Sequence, residues 1–247
     1  MNLLVLTYHY FDRGEPEGIK SEDVAFSMPG GQFAAHCRQL LSPDWRIIPP
    51  EVLTSLPQES LDERRQVLVT IDDGHVSVAE VAADVLLEQQ IPAIISVITD
   101  RVGQAHYMGW GELRHLATAG FSIQSHTKSH RNLTRLAPDE LASELNDSRK
   151  IIEDNIGLPV TTLTIPMGRI DKKVAAAARE AEYKIVMTSF TGINRSADDF
   201  VSLRRFQVKR PQETLPLDDY FRPGSMIRLV GAAKNVIRRV RDEKHLW

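Results

Sequence analysis

The sequence has little of what marks several large classes of protein. Its 247 residues include one cysteine, Cys37, which excludes an intrachain disulfide. This cysteine content is compatible with a protein from a reducing compartment. The net charge of -3 gives no reason to expect a nucleic-acid partner. The first apolar run stops at Thr7, which is too short for a signal-peptide core or a membrane span and predicts a cytoplasmic protein. No glycine-rich phosphate loop occurs, which disfavours phosphoryl transfer.

Short apolar, β-rich runs recur along the chain, with helical patterns between most of them. Predicted strands lie at Leu3–Tyr8, Trp45–Ile48, Gln66–Ile71, Ala93–Ile98, Phe121–Ser125, Thr161–Ile165 and Lys184–Ser189, with a weaker one at Ser202–Phe206. Predicted helices lie at Gly31–Leu41, Val76–Gln90, Gly111–Ala119, Pro138–Ile156 and Asp171–Glu182. This alternation favours an α/β fold with a parallel sheet, and seven or eight strands favour its closure into a barrel over residues 1–224.

Polar residues follow four of the predicted strands at the point where each strand ends. His9 follows the first, Asp72 and Asp73 the third, and His126 the fifth, while the stretch Pro-Met-Gly follows the sixth. The carboxyl ends of parallel barrel strands lie on one rim, which is where active sites are built. We therefore expect these four segments to converge.

The stretch QVLVTIDDGH places two carboxylates directly after a buried strand. Successive strand side chains point to opposite faces, so Asp72 and Asp73 would not normally face one pocket, but Gly74 lets the chain turn and re-aim them. His126 and His130 have a spacing that suits two zinc ligands, although it also arises by chance. Two histidines and one carboxylate form a recurrent catalytic zinc set, which leaves a second carboxylate to take a proton from water.

Three motifs resemble those of a known family. TIDDGH (Thr70–His75) and SHTKSH (Ser125–His130) resemble the first two motifs of the polysaccharide deacetylase family, carbohydrate esterase family four with its NodB-like domain. TIPMGR (Thr164–Arg169) resembles the third. The resemblance implies a distorted (β/α) barrel, an acetylated saccharide substrate, and a divalent metal that is usually Zn²⁺, with another divalent transition metal as the alternative.

The resemblance also implies a role for each motif residue. Asp72 becomes the general base. The metal ligands become Asp73, His126 and His130. The oxyanion of the tetrahedral intermediate is held by the backbone N–H of Met167, in a loop that comprises Pro166, Met167 and Gly168.

The chain departs from the family pattern in three places. Thr164 stands where an arginine often orients the base, and either Arg205 or Arg204 would have to replace it, unless both face solvent. The Asp-rich fourth motif is not present, and SADDF (Ser196–Phe200) is interpreted as a loop. No Leu-x-x-His occurs near the C-terminus, but LTYH (Leu6–His9) closes the first strand. Because first and last barrel strands are neighbours, a permuted motif order makes His9 the general acid; the alternative is a hydrogen-bonded histidine at a strand end.

Two further residues are candidates for lining a substrate cleft. His75 lies beside the acids, where it either lines the cleft or supports a neighbour. Trp110 is either a platform for an apolar sugar face or a packing residue at a helix start. His106 and His115 are interpreted as surface histidines.

The C-terminal segment, Ser225–Trp247, has six Lys/Arg against two acids, a net charge of +4. Its apolar residues recur at helical spacing: Met226, Leu229, Val230, Ala233, Val236, Ile237 and Val240. One interpretation is a closing helix packed on the barrel. The other is a basic amphipathic helix on an anionic membrane surface.

Together these observations predict a metal-dependent hydrolase that removes N-acetyl groups from a saccharide containing N-acetylhexosamine. The nearest alternative is a hydrolase acting on a non-sugar amide or imide. A catalytically inactive binding barrel is a third interpretation.

Overall fold

The computed structural model describes residues 2–15, 21, 23–55, 65–195, 202–210 and 212–243. Within them the strands are β1 Asn2–Tyr8, β2 Tyr10–Asp12, β3 Ser27–Pro29, β4 Trp45–Ile47, β5 Arg65–Ile71, β6 Ala93–Val97, β7 Ser122–Ser125, β8 Thr162–Thr164, β9 Ile185–Met187, β10 Asn194–Arg195 and β11 Phe206–Gln207. The helices are α1 Gly30–Leu40, α2 Val52–Ser55, α3 Ala83–Glu88, α4 Trp110–Thr118, α5 Pro138–Ile156, α6 Lys172–Glu180, α7 Leu217–Phe221 and α8 Met226–Glu243.

The main sheet runs in the order β10-β1-β5-β6-β7-β8-β9, with β4 also paired to β5 and β11 to β1. All of these pairs are parallel except β1 with β10, so the sheet is mixed rather than purely parallel as predicted. The sheet curls until one late segment spans its two sides. Leu203 bridges to Met187 at the end of β9, and β11 pairs with β1. This is the predicted α/β barrel in distorted form.

Strand alternation sorts the barrel side chains into two sets. Leu4, Leu6 and Tyr8 of β1 join the large core between sheet and helices. Leu3 and Val5, on the opposite face, join a second cluster with residues of β5, β6 and β9. This second cluster fills the barrel interior near the amino ends of the strands. Both sets are fully buried, which is why the strands are nearly continuous apolar runs.

Above that apolar interior lies a layer of small hydroxyl side chains. Thr7 and Thr70 share a hydrogen bond between their Oγ1 atoms at 3.2 Å, and Ser96 Oγ lies 2.8 Å from Thr164 Oγ1. These residues continue the inward alternation of β1, β5, β6 and β8. Buried hydroxyl groups need partners, and here they satisfy one another. The barrel therefore turns from apolar to polar along its axis, toward the carboxyl ends of the strands.

Most predicted elements agree with the structure to within two residues, but some do not. The predicted strand Ser202–Phe206 is wrong, because this segment changes partner from β9 to β1 and forms a strand only at Phe206–Gln207. The helix predicted at Val76–Gln90 opens with a π-helical turn, Val78–Ala82, before α3. The short strands β2, β3 and β10 carried no recognisable alternation. The predicted loop Ser196–Phe200 lies outside the described residues.

The division between a barrel over 1–224 and a tail over 225–247 stays a prediction. The described part of the tail is α8. Among the helices the structure describes, none is long and apolar enough to cross a bilayer.

Candidate active site

The two adjacent aspartates reach one cavity because only one of them obeys strand alternation. Asp72 continues the inward face of β5 after Leu68 and Thr70. Asp73 would point outward in an extended chain, but its φ of 74° places it in the left-handed region and turns it back. Gly74 follows with the same φ, and a Cβ there would lie 3.0 Å from a methyl group of Val97. The turn inferred from Gly74 thus begins one residue earlier, at Asp73.

Asp72 is held by a buried guanidinium. Arg205 donates from Nη1 to Asp72 Oδ1 at 2.8 Å and from Nη2 to Oδ2 at 2.9 Å. Its Nε donates to the carbonyl of Thr188 at 2.9 Å, which fixes the side chain. Burial alone would raise the pKa of Asp72, but Arg205, with the imidazoles of His126 and His9, lowers it below its ordinary value. Arg205, and not the exposed Arg204, therefore contacts the predicted base.

Asp73, His126 and His130 bring their ligand atoms within 4.8 Å of one another. Asp73 Oδ1 lies 3.4 Å from His126 Nε2 and 3.7 Å from His130 Nε2. The other oxygen, Oδ2, accepts a hydrogen bond from the Tyr10 hydroxyl at 2.8 Å. Burial opposes ionisation of Asp73, yet its pKa lies well below the ordinary value because His126 hydrogen-bonds it and further imidazoles surround it. The three residues form a compact set of two nitrogens and one carboxylate.

The two imidazoles of this cluster differ in their surroundings. His126 Nδ1 lies 2.8 Å from the Thr164 carbonyl, which can only accept, so Nδ1 carries a proton and Nε2 is the atom that faces Asp73. Burial opposes a charge on His126, but the hydrogen bond to Asp73 and the two aspartate charges raise its pKa above the ordinary value, so a metal ion would have to displace the proton on Nε2. Burial, aided by the charge of His126, lowers the pKa of His130 to about 4, so that imidazole is neutral near pH 7.

The loop between the two histidines is anchored from α5. The carboxylate of Glu144 accepts from the backbone N–H of Lys128 at 3.1 Å and of Ser129 at 2.9 Å, and also from the Ser129 hydroxyl. Thr127 and His130 both have positive φ, at 66° and 62°. The histidine pair thus lies on a tight loop rather than on a helical turn.

His9 lies on the other side of Asp72, with its Nε2 4.0 Å from Asp72 Oδ2. It follows β1, which pairs with β5 on one side and with the late strand β11 on the other. Its Nδ1 is buried and has no hydrogen-bond partner among the described residues. Burial lowers the pKa of His9, while the two aspartates act in the opposite direction.

All of these groups line one cavity of about 420 Å³ at the carboxyl ends of the strands. Its remaining walls are mostly aromatic and polar side chains, with two aliphatic ones. The lining comprises His9, Tyr10, Asp23, Phe26, Asp72, Asp73, His75, Arg101, His106, Tyr107, His126, His130, Ile165, Met167, Ser189, Arg205 and Gln207. A water nucleophile, a carboxylate base and an imidazole acid can be accommodated in such a cavity, which suits hydrolysis.

The family model for polysaccharide deacetylases matches residues 60–186. The chain belongs to the polysaccharide deacetylase family. YxkH of Bacillus subtilis strain 168, named as a polysaccharide deacetylase, is 27% identical over 207 residues, which cover 83% of this chain and 71% of that protein. Chitin deacetylase 1 of Cryptococcus neoformans var. grubii is 32% identical over 124 residues, which cover 50% of this chain and 26% of that one.

Solved structures share the fold of this deacetylase-family chain. The deacetylase PplD of Streptococcus pyogenes, in complex with acetate, matches with a TM-score of 0.77 at 22% identity, over 86% of this chain and 94% of that one. A de-N-acetylase from Aggregatibacter actinomycetemcomitans matches with a TM-score of 0.71 at 16% identity, over 84% and 96%. The family membership and the barrel predicted from the sequence are confirmed. The family supports a hydrolase acting on acetyl groups of carbohydrates.

The predicted oxyanion loop lies at the rim of this cavity. Met167 has a φ of 58° and lines the cavity, whereas Pro166 and Gly168 are buried behind it. Gly168 packs so closely on Ser189 that a Cβ would overlap that residue. The glycine is thus required by close backbone approach.

The two predicted substrate-lining residues have different outcomes. His75 lines the cavity, and its Nδ1 accepts a hydrogen bond from the Ser77 N–H at 3.1 Å. Trp110 is not among the residues that line it: as the first residue of α4, Trp110 is half-buried against the large core, which corresponds to the packing alternative. Burial of its large apolar surface outweighs a place at the rim.

Several lining residues were missed because they come from short segments outside the predicted elements. Tyr10 belongs to β2. His106 and Tyr107 reach the rim because their segment pairs with the turn after Asp73, through an isolated bridge between Tyr107 and His75. Arg101 donates to the Tyr107 hydroxyl at 2.6 Å. The repeated aromatic residues in TYHYF are the one sequence signal that could have pointed to Tyr10.

Proposed function

We propose that the protein is a metal-dependent carbohydrate deacetylase that hydrolyses the acetamide of a saccharide containing N-acetylhexosamine. One observation carries the proposal. The cavity that holds the Asp73, His126 and His130 cluster also holds a second carboxylate, Asp72, immobilised by Arg205 and kept out of the cluster.

The residues present fit a zinc ion. Two imidazole nitrogens and one carboxylate, with Nδ1 of His126 bonded to a backbone carbonyl, make a ligand set that leaves a position open for substrate or water. Another divalent transition metal is the alternative. When bound, the ion supplies Lewis acidity, which polarises the acetyl carbonyl and eases deprotonation of water.

Asp72 would act on the nucleophile. Its carboxylate stays ionised because Arg205 lowers its pKa, and its oxygens face the cavity beside the cluster. A water that attacks the acetyl carbonyl carbon passes one proton to Asp72. The tetrahedral intermediate carries an oxyanion, toward which the backbone N–H of Met167 would donate a hydrogen bond.

Breaking the C–N bond needs a proton on the departing nitrogen, since an amide anion is too basic to leave unassisted. His9 is placed to supply it, yet its buried imidazole is neutral at the start because burial lowers its pKa. The 4.0 Å separation from Asp72 Oδ2 lets the proton taken from water reach His9 within the same turnover. The products are the free amine and acetic acid, which keeps the second proton of the water and loses it to solvent as it ionises to acetate; Asp72 and His9 return to their first protonation states.

The cavity walls support a saccharide. Phe26, His75, His106 and Tyr107 present ring faces and edges around the cluster, and sugar rings pack their apolar faces on such surfaces. The presence of base, ligand cluster and acid together argues against an inactive binding barrel.

Acetate release from a panel of N-acetylated saccharides tests the proposal, with non-sugar amides and cyclic imides assayed in parallel. We expect release from at least one saccharide, loss of that activity in chelator and recovery with added Zn²⁺. Turnover of only the non-sugar amides or imides would mean that the substrate is not a saccharide. Activity that persists in a chelated, metal-free protein would contradict the proposal.

A further inference from the structure

The C-terminal helix α8 contacts the barrel along one narrow face. Ile227 packs on the large core, and Gly231 lies so close to Thr191 that a Cβ would come within 2.7 Å of its methyl group. One turn later, the Asn235 side chain accepts from the backbone N–H of Thr191 and donates to its carbonyl, both at 2.8 Å. The spacing of four between these three residues defines the face that meets the protein.

The opposite face of α8 is apolar and turned to solvent. Leu229 is 56% exposed, Val236 60% and Ile237 58%. Met226 and Val230 extend the same exposed stripe, while Val240 lies beyond the described side chains. A helix that packs to complete a core buries its apolar stripe. Here the polar Asn235 faces the barrel instead, and among the residues that the structure describes the stripe stays exposed, available to an occupant outside them.

Positively charged residues beside the stripe indicate which kind of surface it would bind. A cavity of about 620 Å³ between α8 and the β9–β10 loop is lined by Arg204, Arg228 and Asn235, and Lys234 is exposed on the other flank. Ser225–Trp247 carries a net +4, whereas the whole chain carries -3. A second copy of this surface would bring like charges together. Anionic headgroups beside an apolar phase would instead match both features.

We propose that α8 docks the protein on an anionic lipid bilayer, with its apolar stripe in the interface and Arg204, Arg228 and Lys234 at the lipid phosphates. Thr191, which anchors α8, lies two residues from Ser189 in the catalytic cavity. The proposal is independent of the reaction that the cavity performs.

Co-sedimentation with vesicles tests it, using equal parts phosphatidylglycerol and phosphatidylcholine, or phosphatidylcholine alone. We expect the full chain to bind the anionic vesicles and to be released by added salt, which screens headgroup attraction. The double variant Leu229→Asp, Val236→Asp should bind at least ~10-fold more weakly, since both apolar insertion and charge attraction are reduced. Its fold should be unchanged, because both side chains are more than half exposed, and circular dichroism checks this.

Leu158→Asp is the matched control, since Leu158 is 51% exposed and precedes β8, at the amino ends of the strands. This variant should bind like the wild type. Absence of binding to anionic vesicles, or equal binding by the double variant, would overturn the proposal. So would a concentration-dependent dimer that the double variant abolishes, because the stripe would then be a protein interface.

Discussion

The two halves of the active site differ in what faces each aspartate. Asp72 meets a guanidinium that grips both of its oxygens, anchored in turn by a backbone carbonyl. Asp73 meets a phenol on one oxygen and two imidazoles on the other, at distances of 3.4 and 3.7 Å. Adjacent residues of the same type therefore have one permanent cationic partner in the first case and none in the second.

The difference shows how neighbouring carboxylates can be given separate tasks. A carboxylate bound bidentately to arginine is well placed to accept a proton, but its oxygens are committed and it is a poor metal ligand. A carboxylate among imidazoles has no fixed cationic partner, and a bound metal ion would supply its compensating charge. The left-handed turn at Asp73 produces this separation, because it moves one acid across the cavity from the other.

Removing Arg205 should have the largest effect on the difference between the two aspartates. Arg205→Met leaves Asp72 buried without its cation, which should cost about 3–5 kcal/mol of unfolding free energy and abolish turnover. Urea denaturation and acetate release measure the two effects. Arg204→Met is the matched control, one residue away and exposed, and its unfolding free energy should change by less than about 0.5 kcal/mol. Equal effects at both positions would mean that Asp72 does not depend on Arg205.

Changing His9 should lower turnover without touching either aspartate's anchor. His9→Ala should reduce kcat by about 10²-fold while metal content stays at the wild-type value, because general acid catalysis is lost and the ligand cluster is kept. Substrates with a better leaving group, such as aryl acetates, should lose much less, since they need no proton. A uniform loss on both kinds of substrate would argue against His9 as the acid.

Changing Tyr10 tests how the surroundings of Asp73 affect metal affinity. Tyr10→Phe removes the hydroxyl that donates to Asp73 Oδ2, and metal affinity should fall about 10-fold. Titration of the metal-free protein with zinc measures this. The hydroxyl of Tyr107 accepts from Arg101 instead, so Tyr107→Phe should leave the zinc affinity unchanged. If both variants bind zinc like the wild type, the phenol does not orient Asp73.

Sequence periodicity was enough to predict the barrel and the rim on which its motifs meet, because buried strands are continuous apolar runs. It could not separate Arg204 from Arg205, since charged side chains occupy both faces of a segment that changes strand partner between Leu203 and Phe206. The aromatic walls were also missed. Tyr10 and Tyr107 reach the cavity through short pairings that depend on residues far along the chain.

The division of labour between Asp72 and Asp73 is tested most directly by metal content and turnover in two variants. Elemental analysis of purified Asp72→Asn should find the wild-type amount of metal, with turnover lowered about 10²–10⁴-fold. Asp73→Asn should lose the metal and its turnover. Zinc added at concentrations that saturate the wild type should not restore that turnover. Equal metal loss in both variants, or wild-type turnover in Asp72→Asn, would contradict the assignment.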